Sequence, residues 1–344
     1  MGLARVATVL CLTPWLLSGI AVRRPVGPTP SLIPSTPRGA AACAGCHAHE
    51  VAAWRGSLHA RAWRDPIFLA AYQEEPMAFC RGCHAPLGDP AHEPDAVARA
   101  EGVSCVSCHA DAARHAAAHG RVAADSDDPA PRCAGCHQFN FPVDRGPNRP
   151  LWHTSNPMQD TEGEWRRSES FARGEGCVDC HLPAGDHGML TVERPAVLAS
   201  AVAVRVRACR EGRRWRVEAT VGARHVGHAV PTGDLMRQLR LVVSVDGDEA
   251  TRVFARRFED VPLTDERGEV HLARRERYDG RLAPPGPDAI DTVTLYVAAP
   301  TAALPRWRVE HWRTSPEVAA RQHLPLATVR TLIVEGSSLP CEAH

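Results

Sequence analysis

From residue 202 to the C-terminus the chain alternates apolar and polar residues. Val202, Val204 and Val206 are interleaved with Ala203, Arg205 and Arg207, and Trp215, Val217, Ala219 and Val221 with charged or polar neighbours. Leu239–Val245, Thr292–Val297 and Val329–Val334 repeat the period of two, and turn-forming stretches such as Pro284–Pro287 separate them. This pattern predicts strands with one buried face. Ser315 followed by Pro316 predicts the start of a short helix over Pro316–His323. Together these elements predict an all-β, immunoglobulin-like sandwich over 193–344.

The first half lacks that regularity. Short helices are expected at Val51–Trp63, Pro66–Gln73, Pro94–Ala100 and Ala112–Ala118, joined by long irregular connections. Only 5% of residues are aromatic, too few to fill such a region with side chains. Residues 22–40 carry Pro25, Pro28, Pro30, Pro34 and Pro37 and read as an extended linker. Before them, Arg5 precedes an apolar run from Val6 to Ala21, broken by Pro14 and Gly19. Residues 1–21 therefore read as a cleaved export signal or, because Arg23 and Arg24 follow at once, as an uncleaved anchor. Leu10 is too large for Cys11 to be a lipidation site.

What fills the first half is written in its cysteines. Cys43–Cys46–His47, Cys80–Cys83–His84, Cys105–Cys108–His109, Cys133–Cys136–His137 and Cys177–Cys180–His181 repeat one pattern, Cys-x-x-Cys-His. From 13 Cys and 18 His in 344 residues, chance supplies roughly 0.03 copies of it. Redox thiol pairs or a zinc ribbon account for the cysteines but not for a histidine after every pair. Two thiols three apart can each add to one vinyl group of a haem, with the adjacent histidine as proximal ligand of the iron. The expectation is five covalently bound haem c groups in a haem-packed, mostly α or irregular domain over 41–192. Such attachment takes place outside the cytoplasm, so the location is periplasmic or otherwise exported. Cys209 and Cys341 then form a natural disulfide pair, two free thiols being the alternative.

Charge refines the picture. Acidic and basic residues balance at 40 each, and every basic one is arginine. Lysine is thereby excluded as an iron ligand, and arginine suits propionates because its planar fork grips a carboxylate with two bonds. Nothing indicates nucleic-acid binding.

Thirteen further histidines exceed ordinary need, and interior methionines are few. This favours iron held between two imidazoles over His/Met ligation. A continuous helix from His47 to His59 would separate them by about 18 Å, whereas axial nitrogens on one iron are only ~4 Å apart; His59 is therefore expected to serve a different haem. Distal candidates are His59, His115, His228, His187, His92, His119 and His153, with His225 a weaker one. His49, His271, His311, His323 and His344 read as ordinary surface or packing residues.

The segment Trp54-Arg-Gly-Ser57-Leu-His59-Ala60, six residues after the first motif, resembles the tetrahaem cytochromes c of the nitrifier hydroxylamine pathway and their multihaem relatives. The resemblance extends through Glu101-Gly-Val-Ser-Cys105-Val-Ser-Cys108-His109 with His115 beyond it, and through Met158–Thr161, Glu164-Trp165 and Ser168 before the fifth motif. It covers roughly 43–190 and implies a distal-ligand role for His59. This chain departs from it in having five motifs rather than four, and in offering both His115 and His119 for one role. Gly227-His228-Ala-Val-Pro231-Thr232-Gly233 looks like the Gly-His-x-x-Pro-Thr-Gly segment of β-sandwich domains attached to such cytochromes. His228 there either reaches a haem or caps its own turn.

The resemblance implies single-electron relay between redox partner proteins, with a membrane-associated redox complex as one setting. Two alternatives stay open. One is an oxidoreductase acting on a small nitrogen or sulfur compound at a five-coordinate haem, for which the motif at Cys133–His137, with no histidine until His153, is the suspect. The other is a subunit of a conductive filament.

Overall fold

The computed structural model describes residues 39–109, 130–142, 152–190, 194–264, 268, 270–286 and 289–341. The export signal or anchor, nearly all of the linker, and the Ala112–Ala118 helix lie outside the described residues.

The first region is a set of short helices: α1 (Ala48–Arg55), α2 (Pro66–Glu74), α3 (Ala78–His84), α4 (Ala96–Glu101), α5 (Cys105–Cys108), α6 (Ala130–His137), α7 (Thr161–Arg166), α8 (Glu169–Ala172) and α9 (Cys177–His181). Their limits follow from local chemistry. Asp65 accepts from the amides of Ile67 and Phe68 ahead of Pro66, so α2 starts where expected. Asp95 caps α4 through the amide of Ala98. The helix expected over Val51–Trp63 stops at Arg55 because Gly56 ends it, and the residues through Arg64 continue as turns.

Side-chain packing in this region is thin. Ala40, Val51, Trp54 and Ala60 form one small cluster, and Trp63, Tyr72, Ala85 and Ala98 another. An antiparallel hairpin of β1 (Gln138–Pro142) and β2 (Trp152–Asp160) was not expected from the sequence. Its signal was there: Phe139 and Phe141 alternate with polar neighbours and are both buried.

The second region is β-rich. After α10 (Pro195–Ala201) come β3 (Val202–Glu211), β4 (Arg214–Ala223), β5 (Gln238–Val245), β6 (Asp248–Phe254), β7 (Arg256–Thr264), β8 (Val270–Asp279), β9 (Ile290–Ala298), β10 (Arg306–Trp312), α11 (Pro316–Arg321), α12 (Leu326–Val329), β11 (Arg330–Ser337) and β12 (Leu339–Pro340). Two four-stranded sheets, ordered β11-β10-β5-β6 and β12-β3-β4-β9, share one core. Val217, Val221, Leu239, Leu241, Val243 and Phe254 are all completely buried in it. The alternation that predicted β3, β4, β5, β9 and β11 is the alternation between this core and solvent. Ser315 caps α11 through Val318, as its sequence implied. Cys209 and Cys341 are disulfide-bonded where β12 joins β3 in parallel.

β7 and β8 form a separate two-stranded arm that reaches the first region. Phe258 meets Phe141 edge-on at 5.4 Å between ring centroids, and Arg256 donates to the carbonyls of Met158 (2.7 Å) and Pro157 (2.5 Å). On another face, Arg313 pairs with Asp65 at 2.7 Å. Ile67 packs against Trp312, Ala319 and Val329. No helix among the described residues is long and apolar enough to cross a membrane.

Candidate functional site

Four of the five Cys-x-x-Cys-His motifs lie on or open a short helix (α3, α5, α6 and α9), which puts cysteines three apart on one side of a turn. The first sits in a turn leading into α1, with His47 at the helix N-cap. The motifs converge although they are far apart in sequence. The thiols of Cys43 and Cys105 lie near enough to bear on each other's ionisation, as do those of Cys83 and Cys136, and of Cys133 and Cys177. Cys108 lies near enough to Cys133 to bear on its ionisation. Motif one therefore touches three, three approaches four, and four touches two and five. Burial pushes the Cys80 thiol up to about 11, and burial with Cys43 does the same to Cys105. Thioether sulfurs do not titrate, so the lasting content of these shifts is proximity.

Three motif histidines face a second imidazole. Ring centroids are 6.3 Å apart for His59 and His137, 6.3 Å for His109 and His187, and 6.1 Å for His181 and His228. Two imidazoles on opposite sides of one metal, at about 2 Å per bond, set their centroids roughly 6.3 Å apart. That separation is too long for stacking and suits an iron between the rings. Backbone carbonyls hold the other nitrogen of several rings. His181 Nδ1 bonds Leu190 O at 2.8 Å, His187 Nδ1 bonds Gly185 O at 2.7 Å, and His228 Nδ1 bonds Ala229 O at 3.0 Å. His84 Nδ1 likewise bonds Ala62 O at 2.9 Å. As donors, these Nδ1–H groups leave Nε2 bare for a metal.

Electrostatics agree with that use. Burial, then His181 and His84, lower His59 to about 4, while burial, then His59, Arg237, His181 and His84, lower His137 to about 3. Burial also lowers His228 and His84. Metals take neutral imidazole, so these rings are ready ligands at neutral pH. His137 lies deep in the protein yet keeps exposed surface.

His59 is placed by the Glu101-Gly-Val-Ser segment. Val103 donates to His59 O at 2.9 Å. Gly102 is in the left-handed region (φ 56°), and a Cβ there would stand 2.5 Å from the same oxygen. Only glycine permits both the turn and the approach. Trp54 Nε1 donates to Val103 O at 2.9 Å and closes the arrangement.

The remaining candidates separate. His92 sits on an exposed turn, its side chain 80% accessible and paired with Asp89 at 3.0 Å. His153 lies on β2 with Nε2 buried and without a hydrogen-bond partner, and no described histidine ring faces it. His225 stands at an exposed positive-φ position. His115 and His119 lie outside the described residues. His84 differs from the other motif histidines: Phe68 lies flat on its ring at 3.7 Å and 9°. His311 is almost wholly buried with neither ring nitrogen bonded, beside Arg237 and Arg313. Phe68 and Arg237 carried no signal in the sequence, because only the fold brings them to the histidines.

The family model described as "Cytochrome c554 and c-prime" matches residues 42–110. The structure is similar to that of a penta-heme cytochrome c552 from Thermochromatium tepidum, with a TM-score of 0.61 and 22% identity over 87% of this chain and 98% of that one. The chain has the fold of a multihaem cytochrome c. No curated protein matches it. The thiol pairs, bonded carbonyls and paired imidazoles form a donor set that fits covalently held haem c.

Proposed function

We propose that this cytochrome is an exported electron-transfer protein relaying single electrons between redox partner proteins through five haem c groups, most of them held between two histidines. When bound, haem c supplies a one-electron iron couple whose potential follows from axial ligation and burial. The residues do the rest. Cys43/Cys46, Cys80/Cys83, Cys105/Cys108, Cys133/Cys136 and Cys177/Cys180 tether, and His47, His84, His109, His137 and His181 ligate on the proximal side. His137 is completed by His59, His109 by His187, and His181 by His228. The observation that carries this reading is the set of three histidine pairs at 6.1–6.3 Å. An iron held between two such imidazoles would have no open position for substrate and would serve electron exchange. The contacts between motif cysteines support a continuous path in which the fourth motif is the junction.

The domains assigned to these roles are 41–192 for the haems and 193–344 for an immunoglobulin-like sandwich. Two facing sheets, β12-β3-β4-β9 and β11-β10-β5-β6, antiparallel except where β12 joins β3 and packed over one core, support that likeness. The sandwich supplies His228, which makes it part of the redox unit, and it is the surface offered to a partner or a membrane-bound redox complex.

A second reading has one observation behind it. If a haem is open to a small nitrogen or sulfur compound, it is the one on His84, whose ring is covered by Phe68 instead of facing an imidazole among the described residues. The sequence had directed suspicion to His137, but His59 comes from 78 positions upstream to face that ring. Electron paramagnetic resonance of the oxidised protein tests both readings. The relay alone gives only low-spin ferric haem, while a single high-spin centre that shifts with added nitrite or cyanide moves the function to the His84 haem.

A further inference from the structure

His228 belongs to one domain and His181 to the other, so the pair holds only if the domains meet correctly. The residue that enforces the meeting is a carboxylate. Glu164, on α7, is 4% exposed and reaches into the Gly227–Gly233 turn. Its Oε2 accepts from the amide of Ala229 (3.1 Å), next to His228, and from the hydroxyl of Thr232 (2.7 Å). Its Oε1 lies 2.7 Å from Arg281 Nη1, and the Arg281 side chain is itself only 7% exposed. Arg281 also holds Asp279 at 2.7 Å and donates to Pro231 O at 3.3 Å. Val230 and Leu282 exchange backbone hydrogen bonds of 2.9 and 3.0 Å, tying the Arg281 segment to the same turn. Thr161 Oγ1 stands 3.0 Å from Thr232 Oγ1. A Cβ on Gly227 would lie 3.0 Å from Ser170 Cβ and 3.2 Å from Trp165 Cδ1, so the turn is seated directly on α7 and α8.

We propose that Glu164 is a positioning residue for His228, a latch that fixes the imidazole opposite His181 by gripping the peptide beside it. The inference rests on the His181–His228 pairing proposed above and extends it to a residue that touches neither ring. Two of the carboxylate's contacts lie within four residues after His228, and the third is a buried guanidinium. Burial alone would lower the Arg281 pKa, but Asp279 and Glu164 reverse this and hold it protonated. Loss of the Arg281 charge would leave the buried Glu164 carboxylate without its ion pair.

Glu164→Gln in the haem-loaded protein is the direct test, because glutamine keeps the shape but turns an –NH₂ toward a donor on one side or the other. The expected result is a new high-spin ferric signal of about one haem per chain and carbon monoxide uptake by the reduced protein. His228→Ala should give the same signature, partly reversed by added imidazole. Arg313→Gln, which breaks a different interdomain ion pair (Arg313–Asp65, 2.7 Å), should lower thermal stability with no change of spin state. If His228→Ala opens a haem while Glu164→Gln stays low-spin with unmoved potentials, the latch is wrong and the pairing stands. If His228→Ala leaves every haem unchanged, the pairing fails and the latch falls with it. Should Glu164→Gln not accumulate, Thr232→Val carries the test: a spin or potential change in one haem supports the latch, and an unchanged spectrum overturns it.

Discussion

The two halves of this chain fill their interiors by different means. From Leu198 to Ile333 the β-rich half has one continuous core, drawn from both sheets. The first half has clusters of four residues each, Ala40 through Ala60 and Trp63 through Ala98. Its helices are too short to be stable from backbone propensity alone. Four of the nine described there, α3, α5, α6 and α9, end on a motif cysteine or histidine. The comparison teaches that stability there lives in the link from sequence to cofactor, whereas in the second half it lives in side-chain burial.

The largest effect expected from this contrast appears without haem attachment. In polypeptide made without haem, amide hydrogen exchange should find α1 to α4 unprotected, since exposed short helices open at almost no cost. The strands β3, β4, β5 and β10 should stay protected. Protection of α1 to α4 in bare polypeptide would erase the distinction between the halves.

A smaller effect comes from trimming each core by the same means. Leu241 is completely buried in the shared core of the sheets, and Leu241→Ala should cost about 2–5 kcal/mol. Val51 is 2% exposed but belongs to a cluster of four. Val51→Ala in the haem-loaded protein should cost about 1–2 kcal/mol, because two methyl groups are lost beside a framework pinned by covalent tethers. Denaturant titrations of both variants make the comparison, and equal losses would mean that side chains matter as much in the first half as in the second.

Much of this could be read from residue order, for reasons that differ between the halves. Strand alternation is local, so β3, β4, β5, β9 and β11 are legible from a few residues each. β10 was not, because Glu310 and His311 are buried polar residues that interrupt the apolar rhythm. The thiol pairs and their adjacent histidines are legible because attachment requires a fixed spacing. Distal partners are not. His59 meets His137, and His187 meets His109, across sequence separations that no spacing rule covers. His59 and His228 could be named as candidate ligands through family resemblance, but which ring each faces needs the fold. Glu164 was visible only as part of a Glu-Trp pattern, since a carboxylate that grips a turn 65 residues ahead leaves no local trace.

Glu310 gives the smallest effect and the sharpest test of how the β-rich half tolerates buried charge. Its carboxylate is 4% exposed on β10 and accepts from Arg308 Nε at 2.8 Å and Trp312 Nε1 at 2.9 Å, with Arg330 at 3.3 Å. Burial alone would raise its pKa, but the hydrogen bonds from Arg308 and Trp312 and the two guanidiniums prevail and hold it below the ordinary carboxylate range. A depressed folded-state pKa contributes stability that is fully present above the unfolded value, about 4.3, and is lost as pH falls through the lower folded value. Glu310→Gln should therefore destabilise by about 1–2 kcal/mol near neutrality, a modest sum because Arg308 keeps Glu249 at 2.9 Å and both arginines can hydrate. The gap between wild type and variant should then narrow as the medium is acidified below the usual carboxylate range, where the wild-type side chain takes up its proton. Paired thermal melts across that window measure it. A gap that stays constant with pH would mean that shape rather than charge holds this position, and that the second half, like its Leu241 core, depends on packing alone.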